Sequence, residues 1–218
     1  MRQILWVWML VMMTLVSVNI ERYHCCLEEE RTGLMELKAW INHPDGISLP
    51  DWVENTEDTD CCKWYGVKCD NTTNRVTELD LSFERDDWRL GDLYLNASLF
   101  LPFKELKSLG LASNKLVGCF ENQGLRKLEE LHVRANRFND SVLASLSGLS
   151  SLKILDLSDN MNLIGSTGIN GLRNLKILYL NGIDIKGSVL IESLAAIPSL
   201  KTFSAIHSNL NRALVDKG

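Results

Sequence analysis

Leu128 to Asn136 reads LEELHVRAN, an instance of L-x-x-L-x-L-x-x-N. The same template recurs as LKSLGLASN from Leu106 and as LKILDLSDN from Leu152, so successive copies start 22 and 24 residues apart. Within each copy the central L-x-L alternates as a half-buried strand does, with a leucine facing inward at every second position. A unit this short cannot enclose a core alone. Each copy must bury its leucines against the next, which predicts an array whose turns touch only their neighbours.

The fold expected is an α/β repeat solenoid, a leucine-rich repeat horseshoe with a parallel concave β-sheet. Further copies open at Val76 (VTELDLSFE), Leu175 (LKILYLNGI) and Leu200 (LKTFSAIHS), giving about six turns over 75–218, the last incomplete. The first copy runs 30 residues to the next. Its excess is expected as a charged loop from Glu84 to Tyr94, read either as a ligand-contacting insertion or, preferably, as a solvated loop.

Asn114, Asn136 and Asn160 hold the asparagine position. A carboxamide inside the turn can bond backbone groups that no sheet partner reaches, so these are structural residues. Glu84, Ile183 and Ser208 stand there in the other copies, where the polar ladder should break. After the asparagine come Leu116-Val117-Gly118-Cys119-Phe120 and Ile185-Lys186-Gly187-Ser188-Val189, each L-x-G-x-apolar in type. Convex-side leucines 143, 146 and 149 then lead into the copy at Leu152.

Among 218 residues, 28 acidic side chains outnumber 23 basic ones, and no Lys/Arg-rich block provides the footprint of a nucleic-acid binder. Residues 1–22 open with Arg2 and an apolar run to about Val18, shorter than the roughly 20 residues of a membrane span. This reads as a secretory signal peptide, with an uncleaved anchor as the alternative. Six cysteines, at 25, 26, 61, 62, 69 and 119, then meet an oxidising compartment and are expected in disulfides. A zinc site is the weaker alternative. There is no C-x-x-C, and the histidines at 24, 43, 132 and 207 do not cluster.

Residues 23–74 read as a cap over the open end of the solenoid. Leu27, Leu34, Leu37 and Ile41 share one helical face beside Met35 and Trp40, and His43-Pro44-Asp45-Gly46 ends the helix. Gly33 should weaken that helix by about 1 kcal/mol relative to alanine. The run CLEEERTGLMELKAW from Cys26, followed by LPDW, DCCKWYGVKC and RVTELDL, resembles the N-terminal cap of plant extracellular leucine-rich repeat proteins. The C-x-x-x-E-R opening is most similar to their receptor-like proteins.

That resemblance implies a disulfide-stapled N-terminal helical cap with pairs Cys26–Cys61 and Cys62–Cys69, where spacing alone leaves the connectivity open. The L-x-G-x-apolar stretches resemble the plant L-x-G-x-I-P signature, which carries a second short strand. Asp140 replaces its glycine in the copy from Leu128 and no copy has its proline, so an irregular second strand is expected.

Function follows as binding, not chemistry. No G-x-S-x-G, phosphate-cradling glycine loop, H-E-x-x-H or kinase motif is present, so no catalytic, metal or cofactor site is expected. The resemblance implies the extracellular sensing part of a plant receptor-like protein, for a peptide, protein or glycan ligand in defence or development, with a co-receptor kinase as a possible partner. Its place would be the cell surface if the chain continues to a membrane helix, and otherwise the extracellular space. A chain ending mid-repeat at Lys217-Gly218 is expected to be a truncated form. The alternative is a secreted inhibitor of microbial cell-wall hydrolases.

Strand alternation sends the residues between the leucines to the concave face. His132, Asp156 and Tyr179 are expected as one row and Arg134, Ser158 and Asn181 as the row beside it, a polar patch that could equally be a plain solvated face. Asn71, Asn96 and Asn139 begin N-x-S/T triplets and are candidate glycan acceptors.

Overall fold

The computed structural model describes residues 26–53, 60–85, 89–118, 120, 125–169, 171–185 and 188–208. The leader, Cys25 and Cys119 lie outside the described residues.

The cap begins with helix α1 (Glu28–Ile41). Glu28, Glu29 and Glu30 in its first turn and Lys38 in its last complement the helix dipole. It buries Leu34, Leu37 and Ile41. Leu27 is the residue before the helix, not part of its apolar face. Gly33 has a packing reason: a Cβ there would stand 2.9 Å from Pro102 Cγ and 3.1 Å from Phe103 Cζ, so only glycine lets the helix close onto that turn. Trp52 and Trp64 stack at 5.6 Å, and the Trp52 indole donates to Tyr65 O.

Disulfides Cys26–Cys61 and Cys62–Cys69 staple this small core, as the resemblance implied. Strand β1 (Val67–Cys69) then pairs antiparallel with β2 (Val76–Asp80), joining cap to repeats.

From β2 the sheet is parallel. It continues, past the short β3 (Leu93–Tyr94), through β4 (Ser108–Gly110) and, past β5 (Leu116–Val117), through β6 (Glu130–His132), β7 (Ile154–Asp156), β8 (Ile177–Tyr179) and β9 (Thr202–Ser204). Among the described residues β2, β4, β6, β7, β8 and β9 follow one another in parallel. Leu79, Leu109, Leu131, Leu155 and Leu178 stand in register and are at most 1% exposed. Each such side chain contributes roughly 2 kcal/mol of burial. On the convex side α2 (Ser141–Ser145) and the 3-10 turn Leu146–Gly148 bury Leu143, Leu146 and Leu149, and α3 (Ser188–Ala195) follows β8.

Asn136 Nδ2 donates to Leu111 O and Val133 O, while its Oδ1 accepts from the N–H groups of Asn114 and Leu116. Asn160 serves Val133 O and the N–H of Phe138 in the same way, and Asn114 serves Leu81 O and the N–H of Arg85. The ladder does not break at Ser208, contrary to the sequence expectation. Its hydroxyl donates to Leu180 O at 2.6 Å and accepts from the N–H of Ile183 at 3.2 Å, doing with one oxygen what the asparagines do with two atoms. Ile183 is fully buried and carries no such group.

The segment from Glu84 to Tyr94 is not simply a solvated loop. Arg85 is 4% exposed, and its guanidinium donates to Ile41 O, His43 O and Gly91 O, tying the insertion to the end of α1. β3, inside the same segment, pairs in parallel with β5. Among the described residues this is the whole of the second sheet. Where Asp140 replaces glycine, its carboxylate takes the N–H groups of Ile164, Gly165 and Ser166 and the Ser166 hydroxyl instead. Burial opposes its charge, but these hydrogen bonds outweigh that and hold its pKa below the ordinary value.

Candidate functional site

Parallel register brings His132, Asp156 and Tyr179 onto three adjacent strands as one row, with Gly110 and Asp80 continuing it toward the cap. All three side chains are half-buried on the concave face. His132 Nε2 lies 3.8 Å from Glu130 Oε2.

The second expected row is uneven: Arg134 is exposed, Asn181 half-buried and Ser158 buried. Ser158 is 2% exposed, and its hydroxyl accepts from the N–H of Asn181. Asn181 Oδ1 accepts from the Ser204 hydroxyl and the N–H of Ile206, so its amide oxygen is also committed to the fold. The residue after each of the three takes the left-handed backbone (Ala135 at φ 54°, Asp159 at φ 58°, Gly182 at φ 67°), so the side chain makes the difference: the short hydroxyl of Ser158 and the amide oxygen of Asn181 reach donors of the neighbouring turn. Arg134 alone projects, with its side chain 61% exposed, and it pairs through Nε with Asp159 Oδ2 at 2.8 Å.

Toward the cap the concave face sinks into a depression of about 560 Å³ that sequence reasoning missed. Its lining includes Tyr65, Lys68, Glu78, Asp80, Gly110 and His132. Gly110 makes room for the side chains of Asp80 and Ser82, which lean over it: a Cβ there would stand 2.4 Å from Asp80 Oδ1 and 3.1 Å from Ser82 Oγ. Asp80 Oδ1 accepts from the N–H of Ser82, and the Ser82 hydroxyl accepts from that of Ala112. Asp156 and Ser158 repeat the first of these bonds, so the recurring L-D-L-S of 79–82 and 155–158 is one device used twice. Lys68 and Glu78 form an ion pair at 2.5 Å, and Lys68 is held above its ordinary pKa by that hydrogen bond.

Asn71, Asn96 and Asn139 are all exposed and outside strands. Among the described residues no group of three His, Cys, Asp or Glu is placed to hold a metal, and no helix is long and apolar enough to cross a membrane.

A family model described as a leucine rich repeat N-terminal domain matches residues 27–70. Receptor-like protein 9a of Arabidopsis thaliana is 36% identical over 199 residues, which span 88% of this chain but 20% of that protein. The ectodomain of the receptor kinase SOBIR1 from the same plant is 25% identical, with a TM-score of 0.58 over 85% of this chain and 96% of that one. A chain of the BIR3–SERK2 complex is 27% identical, with a TM-score of 0.55 over 75% of this chain and 85% of its own.

Proposed function

This chain belongs to the plant leucine-rich repeat receptor-like proteins, and from that premise we propose that it is an extracellular recognition region that binds a peptide or protein through its concave sheet. It is a binding module and not an enzyme, working at the cell surface or outside it in defence or developmental signalling. The observation that carries the reading is the in-register row His132–Asp156–Tyr179 flanked by the projecting Arg134. Aromatic and arginine side chains dominate interface energies, and a rigid parallel sheet presents them with little ordering cost. Assembly with a receptor kinase is part of the proposal, since one similar structure is the ectodomain of the receptor kinase SOBIR1 and another is a complex, BIR3–SERK2.

The test is selection of phage-displayed peptides on the immobilised full chain. The Arg134→Ala/Tyr179→Ala variant serves as counter-selection. Peptides whose binding falls at least about tenfold on the variant, the scale of one interfacial anchor, support the reading. No enrichment over the variant rejects it.

Asn71, Asn96 and Asn139 carry N-linked sugar in this proposal. Three successive mobility steps on glycosidase titration are expected, and unchanged mobility of the secreted chain would refute the assignment.

A further inference from the structure

Resting on the concave sheet as a binding face, we propose that its cap-end depression is a separate subsite for a neutral saccharide, seated on the Asp80 carboxylate beside His132 with one face against the ring of Tyr65.

The space comes first. Asp80, Gly110 and His132 are consecutive in register, so the two outer backbones stand roughly 9.6 Å apart at the usual strand spacing, and Gly110 between them has no side chain of its own. The Asp80 carboxylate and the Ser82 hydroxyl lean over Gly110, so the depression there is a slot floored by polar oxygens.

The chemistry of the walls narrows the occupant. Val67 and Leu79 are 6% and 1% exposed, so the apolar surface on offer is the flat ring of Tyr65, a residue 62% exposed. A bulky apolar side chain of a peptide would find that ring as its main apolar wall and carboxylates beside it. Lys68 is neutralised by Glu78, which leaves the Asp80 carboxylate facing the slot and makes it hostile to an anion. Sugar hydroxyls both donate and accept. They can give to the free lone pairs of Asp80 and Glu78 and receive from Lys68 and Ser108, while the apolar face of a sugar ring lies on Tyr65.

A second depression, of about 430 Å³, shares Glu78 and Ser108 with the first and adds Thr77 and Lys107 to its lining, so the slot continues for a longer oligosaccharide. Asn71 also lines that second depression, which places a glycan of the chain itself within reach. The experiment therefore uses the Asn71→Gln background.

The full chain, secreted from insect cells as Asn71→Gln, is tested by saturation-transfer NMR and titration calorimetry against cellohexaose and chitohexaose, with hexagalacturonate as the charged control. Transfer to at least one uncharged oligosaccharide is expected. Tyr65→Ala and Asp80→Asn should each weaken it by about tenfold, the scale of one charge-assisted hydrogen bond. Tyr65→Phe and Tyr179→Ala should leave it within about twofold, since the first keeps the ring and the second lies two strands beyond His132. No transfer to either uncharged probe, preference for hexagalacturonate, or equal weakening by Tyr179→Ala would overturn the subsite. Loss of the saccharide result with the Arg134-dependent peptide result intact rejects this subsite alone, while loss of both rejects the concave face.

Discussion

Glu30 of the cap helix accepts, through Oε2, the backbone N–H of Val76, the first residue of the repeat sheet, at 3.1 Å. Its other oxygen, Oε1, has no hydrogen-bond partner among the described residues and lies 3.8 Å from Arg75 Nη1. Burial pushes its pKa above the ordinary 4.5, although the Val76 N–H and the Arg75 charge pull the other way. The folded chain therefore holds a proton at a pH where the unfolded chain has released it. Stability from this group is fully present below 4.5 and is lost as pH rises through the folded value. Melting temperature measured from neutral to mildly acidic pH should thus rise more for the natural chain than for Glu30→Gln, which keeps an acceptor for Val76 but cannot titrate. Parallel curves for the two proteins would remove Glu30 as the source.

The two disulfides should differ in weight. Cys26 and Cys61 are 35 residues apart and Cys62 and Cys69 only 7, so closing the longer loop constrains the unfolded chain more. The chain-entropy treatment gives about 3.8 kcal/mol for the first and about 2.4 kcal/mol for the second. Denaturant unfolding of the paired Cys→Ser variants measures both. A larger loss from the Cys62/Cys69 pair would mean that local geometry at the hairpin outweighs loop closure.

Asn136 is the rung with most neighbours on it, since its loss strands Leu111 O and the N–H groups of Asn114 and Leu116 in the core. Leaving buried polar groups unpaired costs about 1–3 kcal/mol apiece, so Asn136→Leu should destabilise by at least about 3 kcal/mol despite its added apolar surface. Ser208→Ala removes a half-buried rung in the last described turn and should cost only about 1 kcal/mol. Hydrogen exchange at the Asn114 and Leu116 amides reads the first effect directly. Unchanged protection there would show that the ladder does not hold the turns together.

The strands were legible because leucine period and strand period coincide, and parallel register then placed His132, Asp156 and Tyr179 side by side without further information. Alternation did not show that Ser158 is buried, because what draws its hydroxyl in is the N–H of Asn181, a partner one turn further on. Arg85 carried no local sign of burial, since two of the three carbonyls it serves belong to Ile41 and His43, more than forty positions away. The depression did leave a trace: Gly110 stands where the other strands carry Asp80, His132, Asp156 and Tyr179. The cysteine pairs came from likeness to a family and not from spacing, which physics alone leaves open.

Asp140 shows how one side chain can replace a strand. Its carboxylate collects three backbone N–H groups, at 2.9, 3.0 and 2.6 Å, and the Ser166 hydroxyl, all from the following turn. With a folded pKa below the ordinary 3.8, its contribution is present above that value and lost as pH falls through the folded one. This window lies on the acid side of the one in which Glu30 titrates, so the two groups separate in a pH scan. Hydrogen bonds to a charged group are worth about 1.5–3 kcal/mol each, and partial exposure and non-additivity reduce their sum here. Asp140→Ala should therefore cost about 1–3 kcal/mol at neutral pH and less at a pH where the carboxyl is protonated and accepts only as a neutral group. Asp140→Asn should fall between, since an amide oxygen can still accept but without charge. Both substitutions leave the Asn139 triplet intact, so glycan occupancy does not confound the comparison. Urea unfolding at neutral and acid pH measures the difference. A loss that persists unchanged into acid would show that the side chain acts by filling space and not by accepting these bonds.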